Sequence, residues 1–115
     1  MTDRFRVTLA QLNPIVGDLS GNAAQAFKAW QQGRDAGADL VALPEMFITG
    51  YNTQDLVMKP AFHQAAITEV EKLAVAVAGG PALAIGSPWV EGGKLYNAYL
   101  ILKGGKIASR VLKHH

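Results

Sequence analysis

The amino-acid sequence predicts an α/β fold, and three observations support that prediction. Apolar and β-branched runs recur along the 115-residue chain as predicted strands. Two segments with helical spacing of apolar residues separate the first three strands, as expected for parallel strands joined by crossovers. The pairs Gly92-Gly93 and Gly104-Gly105 then link the last strands as hairpins. The predicted order is β-α-β-α-β-β-β, a mixed sheet with helices on one face.

Each predicted strand is an apolar run that ends at a turn-forming residue. The first run alternates in polarity and ends at Asn13-Pro14, because Pro cannot continue a hydrogen-bonded ladder and extends the residue before it. Residues 49–60 are predicted to be irregular, since Gly, Asn and Pro punctuate them. The predicted strands cover residues 5–12, 39–43, 82–90, 95–102 and 106–112.

Two helices are predicted from apolar residues at intervals of three and four. In the first, which covers residues 20–36, Ser20 is the predicted N-cap and Gly37 the residue that ends the helix. The second is predicted over residues 61–78, with His63 on its exposed side.

The composition restricts the classes of function. Half of the residues are apolar and 17% are charged, which is typical of a folded globular protein. The net charge of +2 comes from scattered Lys and Arg, so the sequence does not favour nucleic acid as a partner. No apolar stretch approaches the roughly 20 residues of a membrane span. We therefore expect a cytoplasmic protein that binds neither nucleic acid nor membrane.

The segment DLVALPEMFITGY, residues 39–51, contains the strongest candidate for chemistry. Glu45 follows a predicted buried strand and Pro44, so the backbone would hold its carboxylate in place. Neighbouring apolar and aromatic side chains would remove that carboxylate partly from water. These are the properties that a general base requires. A capped strand end explains a lone glutamate about equally well.

Other candidates are weaker when taken alone. Lys113 ends the last predicted strand, where a lysine is most simply a solvated surface residue. His114 and His115 are adjacent and would point to opposite faces of a strand, so they cannot readily share one ion, and we predict no metal site. The chain contains no cysteine, which excludes disulfides and thiolate ligands and leaves it without a thiol nucleophile.

Several motifs occur in order along the whole chain, namely VTLAQLNPIVGDLSGN, LVALPEMFITGY, IGSPWVEGGKLYNAYLILKGGKI and RVLK. With these motifs the chain resembles the opening of the nitrilase (carbon–nitrogen hydrolase) superfamily. Within it, the chain is most similar to the glutaminase domains of bacterial glutamine-dependent NAD synthetases, on features such as Gln11-Leu12-Asn13-Pro14 and Gly86-Ser87-Pro88-Trp89. The implied fold is the N-terminal half of a four-layer αββα sandwich.

The resemblance implies a Glu-Lys-Cys triad. Glu45 matches the general base of the family, and Lys113 matches the lysine beside the oxyanion of the tetrahedral intermediate. The cysteine nucleophile would follow Lys113, and this sequence holds none. Because a triad works as a unit, the chain alone is predicted to be inactive.

The resemblance also implies the setting of the domain. Residues 1–115 would form a partial glutaminase domain that is truncated just after the triad lysine. The complete protein would hydrolyse glutamine and pass ammonia to a synthetase domain that uses ATP and magnesium to make NAD from deamido-NAD. We expect that protein to be a homo-oligomer, with no cofactor bound by this segment.

Two other interpretations stay open at this point. The chain could belong to a stand-alone amidase of the same superfamily that acts on another small amide, or to a non-catalytic interaction module. The length of the complete protein separates the first alternative from a synthetase. In every case half of a sandwich would expose apolar sheet surface, which favours aggregation unless something covers it.

Overall fold

The computed structural model describes residues 4–10, 12–15, 17–45, 47–49 and 60–114. That part of the chain forms one five-stranded sheet and two helices. Residue 115 and the segment 50–59, to which Tyr51 belongs, lie outside the described residues. The elements are β1 Val7–Leu9, α1 Leu19–Asp35, β2 Leu40–Ala42, α2 Pro60–Ala76, β3 Ala82–Glu91, β4 Lys94–Lys103 and β5 Lys106–His114.

The predicted mixed sheet is confirmed. Its strands lie in the order β1-β2-β3-β4-β5, with parallel pairing from β1 to β3 and antiparallel pairing from β3 to β5. Both predicted hairpin turns are present, and φ is positive at Gly92 (58°), Gly93 (75°), Gly104 (64°) and Gly105 (83°). Two successive residues with positive φ match the twist of the flanking strands, and glycine adopts that conformation without strain.

The N-cap of the first helix lies two residues earlier than predicted. Asp18, and not Ser20, is the N-cap, and its Oδ1 accepts a hydrogen bond of 3.1 Å from the Gly21 backbone N–H. A carboxylate is an effective acceptor for the unpaired amides of a first turn. Gly37, at φ 84°, follows the helix end as predicted.

The exposed position predicted for His63 is wrong. Its exposed fraction is 8%, so it is buried on the core side of α2. The physical reason is its spacing: residues 63, 66, 70, 73 and 77 follow one another at intervals of three and four, which places His63 on the same stripe as the buried apolar residues.

The strand predictions differ in accuracy between the two halves of the sheet. The last three strands lie within two residues of their predicted bounds, whereas β1 and β2 are only three residues long. β1 is an edge strand that pairs with β2 alone. Near the far edge, the register between β4 and β5 shifts between Ile101 and Leu102. Ala108 is the additional residue on β5, because Ile107 pairs with Leu102 whereas Ser109 pairs with Ile101.

The two helices of the described residues lie on one face of the sheet. A single core joins the helices to alternate strand residues such as Val41, Leu83 and Leu100. The opposite face, which we call the open face, carries the other alternate residues. Its exposed large apolar side chains are Val7, Leu9, Val90 and Val111.

Candidate active site

Glu45 lies just beyond the end of β2, in a segment held by backbone and side-chain hydrogen bonds. The Leu43 N–H donates to the Ala84 carbonyl at 2.8 Å, which extends the pairing of β2 with β3 by one bond. The Tyr99 hydroxyl on β4 donates to the Leu43 carbonyl at 2.7 Å. The backbone two residues before Glu45 is therefore fixed from two neighbouring strands.

A buried amide holds the other side of this segment. Asn22 on α1 is fully buried, and its Nδ2 donates to the Ile48 carbonyl at 3.1 Å and to the Ile15 carbonyl at 2.8 Å. Its Oδ1 accepts from the Ile15 N–H at 2.7 Å. The Ile48 N–H in turn donates to the Gly86 carbonyl at 3.2 Å. Three residues after Glu45 the chain is thus tied to α1 and to β3.

Lys113 meets Glu45 across the sheet. Its Nζ donates to Glu45 Oε1 at 2.7 Å, although the two residues are 68 positions apart. Lys113 pairs with Asn97 of β4, two positions along the strand from the pair of Val111 and Tyr99, so its side chain leaves the sheet on the open face. The structure therefore brings together both residues that the sequence identified as candidates.

The expected partial desolvation of Glu45 is not found in this chain. The side chains of Glu45 and Lys113 are 55% and 61% exposed. The cause is their position, because the pair lies on the open face, which nothing in the described part of the chain covers. An ion pair this exposed contributes at most about 1 kcal/mol to stability. The strands place the two groups together, and the pair itself does little to hold the strands.

Sequence reasoning missed Asn22 and Tyr99. Asn22 could have been found from periodicity, because it shares the buried stripe of α1 with Ala26 and Ala29, and a polar residue on such a stripe must be hydrogen-bonded. No comparable signal marks Tyr99, whose partner Leu43 is 56 positions away.

No group of three or more His, Asp and Glu side chains in the described part of the chain could hold a metal ion. No helix among those residues is long and apolar enough to cross a membrane. The chemistry that the described site offers is that of one carboxylate and one ammonium group beside each other on a sheet face.

The sequence profile of the carbon-nitrogen hydrolase family matches residues 6–115, so the chain belongs to that family. A glutamine-dependent NAD(+) synthetase from Rhodobacter capsulatus is 62% identical over 115 residues, which are all of this chain and 21% of that protein. The chain thus spans about a fifth of the length of this curated relative.

Solved structures agree on the fold. A glutamine-dependent NAD(+) synthetase from Cytophaga hutchinsonii superposes with a TM-score of 0.88 at 23% identity, over 96% of this chain and 19% of that one. An amidase of the nitrilase superfamily from Nesterenkonia superposes with a TM-score of 0.80 at 22% identity, over 95% of this chain and 42% of that one. The predicted nitrilase-type α/β architecture is confirmed.

Proposed function

We propose that this chain is the opening part, residues 1–115, of the glutaminase domain of a glutamine-dependent NAD synthetase. The contact of 2.7 Å between Lys113 Nζ and Glu45 Oε1 is the observation that carries the site assignment. The identity of 62% to the Rhodobacter capsulatus synthetase, which extends over the whole chain, supports this choice among carbon–nitrogen hydrolases.

In the proposed reaction Glu45 is the general base and Lys113 stabilises negative charge. The base removes the proton of a cysteine thiol, and the thiolate attacks the side-chain amide carbon of glutamine. The C–N bond breaks, ammonia leaves with the transferred proton, and water then hydrolyses the thioester to glutamate. A fixed ammonium beside the developing oxyanion stabilises it far more in a dry pocket than in water.

This chain supplies two of the three groups that the reaction needs. It contains no cysteine, so the nucleophile would come from a part of the complete protein outside these residues. The open face would then be covered by that part, which would remove Glu45 and Lys113 from water and make the pair effective.

The proposal includes the use of the ammonia. A further domain of the complete, cytoplasmic and homo-oligomeric protein would use ATP and magnesium to convert deamido-NAD to NAD. The described residues of this chain contain no group of three or more acidic or histidine side chains that could hold a magnesium ion, so that conversion is assigned to the further domain.

The variant Glu45→Gln in the complete protein tests this proposal. Glutamine-dependent NAD formation and ammonia release from glutamine should be abolished, because the amide cannot accept the thiol proton. NAD formation from added ammonia should be nearly unchanged, since it bypasses the glutaminase site. Both rates are measured on the same preparation.

The matched control is Glu71→Gln, the same chemical change at an exposed position on α2. It should leave both activities unchanged. Equal loss of the glutamine- and ammonia-dependent activities in Glu45→Gln would contradict the assignment of Glu45 to a separate glutaminase site.

A further inference from the structure

The Tyr99 side chain is hydrogen-bonded to the backbone that leads into Glu45. Its Oη donates to the Leu43 carbonyl at 2.7 Å, the usual distance for an O–H···O hydrogen bond. Leu43 is followed by Pro44 and then Glu45. We propose that Tyr99 is a positioning residue for Glu45 in glutamine hydrolysis, an inference that rests on the proposed function.

The Tyr99 side chain must cross β3 to reach Leu43, and the β3 residue beside it is a glycine. β3 lies between β2 and β4, and the residue of β3 paired directly with Tyr99 is Gly86. Paired residues present their side chains on the same face of a sheet, so a side chain at position 86 would stand beside the ring. With glycine there, the phenol passes over β3 to reach the end of β2. We therefore expect the absence of a side chain at Gly86 to be needed for the hydrogen bond from Tyr99 to Leu43.

The phenol is able to donate this hydrogen bond across the physiological pH range. Burial raises the pKa of the Tyr99 phenol above its ordinary value of 10.0, and the negative charge of Glu45 raises it further by a smaller amount. A raised pKa favours the protonated form, which is the donor, and the bond would be lost only as the pH rises through that higher value.

Glu45 depends on such anchors because packing does not hold it. Its side chain is 55% exposed, and the Lys113 ammonium that it contacts is on a long, flexible and equally exposed side chain. A base must lie within hydrogen-bond reach of the proton that it takes, and small misplacements cost rate. The rigid part of the arrangement is the backbone at Leu43, which Tyr99 fixes from the same sheet face as Lys113.

The test compares two variants of the complete protein that each remove one hydroxyl from β4. In Tyr99→Phe the ring stays and the bond to Leu43 is lost. We expect kcat for glutamine hydrolysis to fall about three- to tenfold, the effect of one ordinary hydrogen bond, with KM nearly unchanged. Tyr96→Phe is the control, since Tyr96 lies on the same strand with its side chain on the opposite face.

A second variant tests whether a side chain at position 86 disturbs the hydrogen bond from Tyr99 to Leu43. Gly86→Ala should lower kcat as Tyr99→Phe does, and combining the two should cost little more than either alone, because both remove the same anchor. NAD formation from added ammonia and the melting temperature should be close to those of the unmodified protein in Tyr99→Phe.

Three results would overturn the inference. The first is an unchanged kcat in Tyr99→Phe when the unmodified protein hydrolyses glutamine, which leaves the proposed function standing. The second is a parallel loss of glutamine- and ammonia-dependent activity with a lowered melting temperature, which would indicate a structural role only. The third, no glutamine hydrolysis by the unmodified protein, would overturn the proposed function as well.

Discussion

At the scale of single residues, the candidate site separates the groups that would react from the groups that hold them. Glu45 and Lys113 are exposed and contribute little to stability, whereas Asn22 is fully buried with three hydrogen bonds to backbone groups. Buried amides of this kind are costly to replace because their partners would be left unsatisfied. The reactive pair can therefore be altered with little risk to the fold, whereas Asn22 cannot.

Lys113→Ala in the complete protein should cost on the order of 3 kcal/mol or more of transition-state stabilisation, more than a hundredfold in the rate of glutamine hydrolysis. The reason is loss of the cation beside the developing oxyanion. Steady-state release of ammonia from glutamine measures it. Lys106→Ala, on the same strand and exposed, is the matched control. A nearly normal rate in Lys113→Ala would show that another group stabilises the oxyanion.

At the scale of elements, the close approach of α1 to β2 sets the position of the strand that leads to Glu45. A Cβ at Gly33 would clash with Val41 Cγ2, and Val41 is fully buried in β2. Glycine is normally unfavourable inside a helix, so its presence here reflects packing and not helix propensity.

Gly33→Ala tests which effect is larger. Alanine gains about 1 kcal/mol of helix propensity, but overpacking a tight contact costs about 1–3 kcal/mol. We expect a net loss of up to about 2 kcal/mol, seen as a lower melting temperature of the complete protein. Gly79→Ala, where a Cβ would meet nothing within 4 Å, should be neutral or slightly stabilising. A melting temperature raised by Gly33→Ala would mean that the helix can shift away from the sheet.

At the scale of the whole molecule, the two faces of the sheet have opposite surroundings. One is covered by both helices, and the other exposes apolar side chains such as Leu9 and Val111, at 75% and 58%. Exposed apolar surface of this kind is a liability in a monomer. The same face carries Glu45 and Lys113, so whatever covers the apolar residues also encloses the candidate site.

The 115-residue chain produced alone should therefore associate as its concentration rises, and it should not hydrolyse glutamine. Replacing both Leu9 and Val111 by Lys should shift the association measured by sedimentation velocity to higher concentration, because charge opposes burial of the open face. Val75→Lys is the control, since Val75 is equally exposed but lies on α2, on the other side of the sheet. An equal effect of the control would mean that association does not use the open face.

Sequence alone predicts the parts of this structure that depend on local chemistry. The Gly-Gly pairs define both hairpins, and Gly37 marks the end of α1, because these positions require positive φ. What sequence reasoning misses depends on a tertiary contact in one case and on a choice between two suitable neighbouring residues in the other. The hydrogen bond from Tyr99 to Leu43 joins residues 56 positions apart in the sequence. The N-cap is Asp18 and not Ser20, and both residue types are suitable for that position.

The extra residue in β5 has a consequence for which side chains can ever meet Glu45. In a regular strand residues 107, 109, 111 and 113 would all share one side, and Ile107 packs into the core beneath the helices. Ala108 shifts the alternation by one position, so that Leu112 joins Ile107 in the core and Lys113 faces the other way. Lys113 can therefore reach the carboxylate because the extra residue turns its side chain to the open face. Without Ala108 the side chain of Lys113 would point to the core face of the sheet.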